Sequence, residues 1–308
     1  MGRYLLRRLL QLVPVFIGTT FLIYWLVWSV PGDPFAGKCG DRGCPPNYRA
    51  MMTEKYNLDE SIWVQYASYM KNLLQGDFGI TFGGREISDI IATSYPNTLK
   101  LAVVALAIEA VIGLGAGILT GLRRNGFLDN LVLVSTLFLI ALPVFVIGFV
   151  LQWLLGVKWG IITPTVSNEM RFSELIVPGF VLGSVSMAYV ARVARTSIAE
   201  NRRADYVRTA IAKGLPMRRV VGVHLLRNSL IPVVTLLGTD LGALMGGAIV
   251  TEGIFGINGI GRQVLRSIVT KESATVVGIV VVLVLVYLIM NLVVDLLYAA
   301  LDPRIRYE

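Results

Sequence analysis

Six long apolar stretches constrain this chain more than any other feature. They run from Leu9 to Val30, Thr98 to Leu122, Leu131 to Leu155, Ile176 to Val193, Ser229 to Val250 and Ala274 to Ala300. A hydrocarbon core about 30 Å thick is crossed by about 20 mostly apolar residues in helix. The fourth stretch is the most diluted, by Ser184, Ser186 and Tyr189. Barrel strands would instead be short and alternating, and no segment reads that way. The expected fold is an all-α polytopic membrane protein with six transmembrane helices. Composition agrees: 16% of residues are charged, against about 25% in soluble domains, and the mean hydropathy is +0.68.

The organisation that follows is an N-terminal end with the first span (1–30), a large outer loop (31–97), a membrane module (98–300) and a short tail (301–308). Arg3, Arg7 and Arg8 precede the first span as in a signal peptide. Its apolar run is too long for one, and Ser29-Val30-Pro31 lacks a small-residue cleavage pattern, so it reads as an uncleaved anchor. Basic residues in short loops mark the cytoplasmic side. Arg3, Arg7, Arg8, Arg123, Arg124, nine residues between Arg192 and Arg227, and Arg304 and Arg306 all fall on one side. The short loops opposite carry Lys158, Arg171, Arg262, Arg266 and Lys271. Both termini are therefore expected in the cytoplasm of a plasma-membrane protein.

The net charge of +8 is spread between hydrophobic runs, with no basic tail or aromatic-interleaved patch, which argues against a nucleic-acid partner. One histidine and two cysteines are too few soft ligands for a metal site. His224 has no second ligand or acid beside it in sequence and reads as structural. Cys39 and Cys44 either close a small disulfide, if their loop faces an oxidising compartment, or stay as two thiols. Gly32 to Cys39 nearly spells a phosphate-binding loop, but Cys stands where a magnesium-binding Ser or Thr belongs. Nothing here binds ATP.

Three acids fall inside the spans: Glu109, Asp240 and Asp295. Each costs about 2.5–3.5 kcal/mol at a helix centre and should face protein or water. Asp240 is a candidate for the transport path or for an interhelical hydrogen bond, and Asp295 lies near an interface. Two glycine ladders, Gly113-Gly117-Gly121 and Gly238-Gly242-Gly246, put small residues on one helix face, for packing within the chain or between subunits. In the outer loop, residues 59–74 have helical periodicity with Ile62, Tyr66 and Tyr69 on one side.

The connector at 199–228 is the most informative segment. Asp205 suits a helix start and Lys213-Gly214-Leu215-Pro216 its end. Between them Tyr206 and Ala210, and Val207 and Ile211, pair at i,i+4, which predicts a short amphipathic helix with an apolar face open to a partner. The run Asp205-Tyr206-Val207-Arg208-Thr209-Ala210 through Gly214, followed by Leu226-Arg227-Asn228-Ser229-Leu230-Ile231-Pro232, resembles the coupling-helix signature of type I ABC importer permeases. Pro31-Gly32-Asp33-Pro34, Gly76-Asp77-Phe78-Gly79, Tyr95-Pro96-Asn97-Thr98-Leu99, Gly256-Ile257-Asn258-Gly259-Ile260-Gly261 and Leu301-Asp302-Pro303-Arg304 resemble the dipeptide/oligopeptide branch, in order along nearly the whole chain. Arg208-Thr209-Ala210 replaces the Glu-Ala-Ala of the general motif, and Gly214 to Pro232 exceeds its usual interval, departures that suit that branch.

The resemblance implies a permease that performs no covalent chemistry. Asp205, Tyr206, Val207, Thr209, Ala210, Lys213 and Gly214 would contact a separate ATPase, which binds the ATP and Mg. It further implies a homologous second permease, two ATPase subunits and an extracytoplasmic binding protein delivering peptide to 31–97 and to a gate-like loop at 252–268. A secondary transporter would instead favour internal repeats with broken helices. An intramembrane aspartyl protease using Asp240 and Asp295 would need a Gly-x-Gly-Asp element that Gly238-Thr239-Asp240 does not supply.

Overall fold

A computed structural model of the chain describes residues 2–30, 35 and 44–301. Helices α1 (Gly2–Trp28), α2 (Pro46–Tyr56), α3 (Ile62–Leu74) and α4 (Ile87–Ile108) come first. A π-helical turn, Glu109–Gly113, joins α4 to α5 (Leu114–Leu122), and α6 (Phe127–Ala141) and α7 (Val144–Leu151) follow. A second π turn, Gln152–Lys158, extends α7, and α8 spans Phe172–Asn201. Then come α9 (Asp205–Ala212), α10 (Met217–Arg219), a third π turn (Val220–Leu225), α11 (Leu226–Ser229) and α12 (Ile231–Gly247). Helices α13 (Ile249–Phe255), α14 (Ile260–Val269) and α15 (Ser273–Leu301) complete the chain.

Among the described residues, four helices are long and apolar enough to cross a membrane: Leu6–Trp28, Ile87–Leu122, Phe172–Asn201 and Ser273–Leu296. Two bent helix pairs bring the number to as many as six if each pair is counted as one span. Phe127–Ala141 meets Val144–Lys158 at 103°, and Met217–Ser229 meets Ile231–Met245 at 48°. The stretches at 131–155 and 229–250 read as single runs because hydropathy carries no direction. Proline supplies the bends. Leu142 is extended (φ −94°, ψ 134°), as a residue before proline prefers, so the helix stops there and restarts after Pro143. Pro232 sits in the first turn of α12, where its missing N–H costs nothing, but it cannot continue the preceding helix.

The chain divides into two compact units, the first built from Met1–Asn97 and Asn258–Ile289, the second from Thr98–Ile257 and Met290–Glu308. In the first unit, buried Tyr24 of α1 packs with Val277 and Val281 of α15, and Ile62, Tyr66 and Tyr69 of α3 close over them. The Thr20 Oγ1 and Tyr66 OH lie 2.8 Å apart, and Phe21 stacks on Trp63 at 4.6 Å. The segment expected as an outer loop is therefore largely helical. Gly76 (φ +83°) and Gly79 (φ +92°) adopt the left-handed backbone that glycine permits. The Asp77 N–H bonds back to Asn72 O and the Gly76 N–H to Leu73 O, ending α3. The Tyr56 hydroxyl donates to Ile80 O at 2.5 Å and accepts the Ile80 N–H at 2.9 Å. Burial pushes this phenol up to about 12, against the opposing pull of the Ile80 backbone. Most of 32–39 and Cys39 lie outside the described residues; Cys44 packs beside Phe35, Met52 and Phe82.

In the second unit α8 is the central helix, with twelve buried positions from Leu175 to Ile198. The first glycine ladder meets it. A methyl group on Gly113 would lie 2.8 Å from Met187 O, one on Gly117 2.5 Å from Ala194 Cβ, and one on Gly121 2.8 Å from Ile198 Cβ. Gly179 and Gly183 of α8 leave comparable room for Val104 and Ala105 of α4. In the other ladder, Gly238 faces Val294 of α15 at 3.1 Å. Gly242 is buried, and the surroundings of Gly246 lie outside the described residues.

Candidate functional site

The site is built where α8 ends. Asn201 is its last residue, the Arg203 N–H bonds Glu200 O, and Ala204 is extended, so the chain turns sharply and α9 begins at Asp205. Eight residues are too few for a helix to persist alone in water. Its inner side holds it. Val207 (2% exposed) and Ala210 (4%) enter a cluster with Ile198 of α8 and with Val220 and Leu225 of the third π turn. Ile118 and Leu122 of α5, Leu215, and Leu226 of α11 pack against that cluster.

The far end is closed by a left-handed cap. Gly214 has φ +74°, its N–H bonds Ile211 O at 2.9 Å, and the Leu215 N–H reaches back to Ala210 O at 3.3 Å. These bonds satisfy carbonyls that a helix end leaves open, and Leu215 adds the apolar contact that accompanies such caps. A Cβ on Gly214 would touch nothing within 4 Å, so glycine is needed for its backbone angle, not for space. The Tyr206 hydroxyl donates to Asn201 Oδ1 at 2.8 Å. The Thr209 hydroxyl donates to Asp205 O at 2.8 Å.

This geometry corrects the expected apolar face. Tyr206, Val207, Ala210 and Ile211 do not act together: Val207 and Ala210, three apart, turn inward and are already covered by the chain itself. What remains outward is Asp205, Tyr206, Arg208, Thr209, Ile211 (49% exposed) and Lys213, with Met217 beyond. The free surface is thus mixed, with Tyr206, Ile211 and Met217 as apolar anchors among polar and charged neighbours. Arg208 Nη1 lies 3.7 Å from Asp205 Oδ1, both in solvent, a pair worth little by itself.

A buried ion pair between α6 and α8 was not legible in the chain. Asp129, 1% exposed in the first turn of α6, accepts two bonds from Arg195 of α8, at 2.5 and 2.8 Å, and one from the Asn125 N–H at 2.9 Å. An acid following Gly126 at a helix start was its only local signal. Glu252 was also missed. It is fully buried in α13 and accepts the Thr98 hydroxyl at 2.5 Å. In the first unit, the Asn97 amide donates to Asn258 O at 2.9 Å. That bond links the Tyr-Pro-Asn-Thr-Leu and Gly-Ile-Asn-Gly motifs across more than half the chain. The stretch 252–268, expected as a loop, is mostly α13 and α14 joined at Gly256 (φ +69°).

Glu109 opens the first π turn and is fully buried; its carboxyl faces Asp240 of α12 without a well-formed hydrogen bond. Asp295 is half-buried near the end of α15. An apolar cavity of about 370 Å³ opens between Val144, Phe145, Leu182, Ala243, Leu244, Val250 and Thr251, and Asp240 is not among its lining residues. His224 is half-buried in the third π turn. Among the described residues no group of three or more His, Cys, Asp or Glu gathers as a metal would require.

Residues 113–307 match the family described as binding-protein-dependent transport system inner membrane component, and residues 1–102 match its N-terminal counterpart. The chain belongs to this family. The permease is 33% identical over 339 residues to the dipeptide transport system permease protein of Escherichia coli strain K12, covering 100% of both chains. It is 32% identical over 317 residues to the oligopeptide transport system permease protein of Salmonella typhimurium strain LT2, again covering 100% of both. It is 34% identical over 312 residues to the glutathione transport system permease protein of Escherichia coli strain K12, with the same full coverage. The permease is therefore a multi-pass inner-membrane subunit of an ABC importer, in the peptide branch, and a transport component rather than an enzyme.

Proposed function

We propose that the permease moves di- or oligopeptides inward, driven through α9 by ATPase subunits that dock on its outward surface. The observation that carries this reading is the division of α9 into a clamped inner side and a free outer side. Val207 and Ala210 fix the helix to α5 and α8, while Tyr206, Thr209, Ile211 and Lys213 stay available. A short rigid helix of this kind transmits force without bending. The positions implied for ATPase contact thus split by role: Val207, Ala210 and Gly214 hold α9, and Asp205, Tyr206, Thr209, Lys213 and Ile211 touch the partner.

In this reading both termini and α9 are cytoplasmic, and a homologous permease completes the pathway. An extracytoplasmic binding protein delivers cargo to the helical cap formed by α2 and α3. A Cys39–Cys44 disulfide braces that cap. The apolar cavity at Val144, Phe145 and Leu182 forms one wall of the path; lacking charge, it would tolerate varied side chains. Asp240 serves an interhelical contact with Glu109.

Ile211→Asp tests the reading. Removing an apolar anchor and desolvating a charge at such a contact costs at least about 2 kcal/mol, or roughly thirtyfold in docking. The variant should insert normally and the assembled ATPases should keep basal hydrolysis, while transport in proteoliposomes falls by roughly that factor. Undiminished transport would show that α9 is not the drive contact.

A further inference from the structure

A cleft lies where the end of α5 and the turn after it meet the end of α8 and the link to α9. Gly121, Arg124, Asn125, Ala199, Arg202 and Arg203 enclose about 260 Å³, several times the roughly 30 Å³ that a water occupies in the liquid. Two small residues make the room: Gly121 lies against Ile198 and Ala199 follows it. The cleft holds three guanidinium groups and no acid. The carboxylate of Asp129, beside the lining residue Asn125, is engaged by Arg195 and by the Asn125 N–H. Arg202 is steadied by one bond from Nη1 to Leu122 O at 2.8 Å. Arg124 and Arg203 have no ion pair among the described residues. Asp129 feels the charge of Arg124, but it is already engaged by Arg195, and three guanidinium groups around one cleft leave a net positive site that an anion with several acceptor oxygens would neutralise.

What surrounds the cleft identifies the anion. Immediately beyond Asn125, α6 begins with Phe127 (81% exposed) and continues outward through Leu131, Val134 and Phe138, all exposed on one stripe. Leu119 of α5 is exposed nearby. A soluble phosphate or nucleotide has no use for an apolar stripe running away from its site. A phospholipid needs both parts: a phosphate among arginines and acyl chains along Phe127, Leu131 and Val134. Basic pockets at the ends of membrane helices hold anionic headgroups in this way. We propose that this cleft binds the headgroup of an anionic phospholipid, whose chains lie along α6. The claim does not depend on the cargo or on what docks on α9.

The test uses the permease purified with its transport-system partners and exchanged into detergent with defined lipid. Native mass spectrometry should find phosphatidylglycerol retained about tenfold better than phosphatidylcholine. R124Q/R203Q should abolish that preference, and R124K/R203K, which keeps the charge, should restore much of it. The Gln variant should also keep its partner subunits, which controls for misfolding. Glycerol phosphate should not displace the lipid. Equal retention by the wild type and the Gln variant would overturn the proposal. So would displacement by millimolar glycerol phosphate, which would make the ligand a soluble anion. Loss of the ATPase subunits with unchanged lipid retention would overturn it too, assigning the arginines to a protein contact.

Discussion

Gly117 and Gly115 sit two residues apart on α5 and show how position alone sets the cost of a methyl group. On Gly117 a Cβ would fall 2.5 Å from Ala194 Cβ and 2.6 Å from Ala191 O, and the second of these is backbone that cannot rotate away. On Gly115 it would meet nothing within 4 Å. Gly117→Ala should therefore lower the thermal stability of the purified permease by about 1–3 kcal/mol, the usual penalty for overpacking. Gly115→Ala should be neutral or slightly stabilising, since alanine favours helix. Scanning fluorimetry on the pair reads the difference, and equal melting temperatures would contradict the packing described. The ladder itself was visible in the sequence as a four-residue repeat; its partner was not. Spacing fixes which residues share a face but says nothing of what that face meets, which is also why Asp129 and Arg195, sixty-six positions apart, gave no hint of pairing.

At the scale of elements, α9 is where sequence and structure agree on existence and differ on orientation. Its start at Asp205 and its end before Gly214 follow from local signals, because capping is a short-range matter of backbone angles and open amides. Which side faces inward depends on Ile198, Val220 and Leu225, none of them in α9, and periodicity over eight residues is too short to decide it. The cap gives a graded prediction. Asparagine tolerates left-handed angles better than other non-glycine residues, whereas β-branched residues strongly resist them. Gly214→Asn should retain most transport and Gly214→Val should lose most of it, with membrane insertion unchanged in both. Equal transport by the two variants would show that the cap has no bearing on function. The same distance argument explains the third span: its apolar run was plain, while the 103° turn at Pro143 requires the residue before the proline to leave the helix, a local preference that hydropathy averages away.

Across the whole molecule, composition was sufficient for the class, because a chain with so little charge and such long apolar runs has few alternatives to membrane helices. The cap was less legible. Its helices α2 and α3 carry polar and aromatic residues of mixed sign, and only the Ile62-Tyr66-Tyr69 face announced a buried side. The topology proposed for it is open to direct measurement. If 31–97 is extracytoplasmic, Cys39 and Cys44 in intact cells should resist a membrane-impermeant maleimide until a reductant is added. Labelling without reductant would rule out the bridge, and no labelling under either condition would argue against the orientation.

The contact of α5 with α8 has one more implication. Gly113, Gly117 and Gly121 press backbone directly onto Met187, Ala191, Ala194 and Ile198, with no long side chain between them to rotate or yield. Close-packed interiors compress little, and packed interfaces switch between arrangements rather than deform by degrees. The two helices should shift together as one stiff strut, so a displacement delivered at the Ile198 end would reappear near Met187, some sixteen ångströms away by helix rise, almost undiminished (about 1.5 Å per residue).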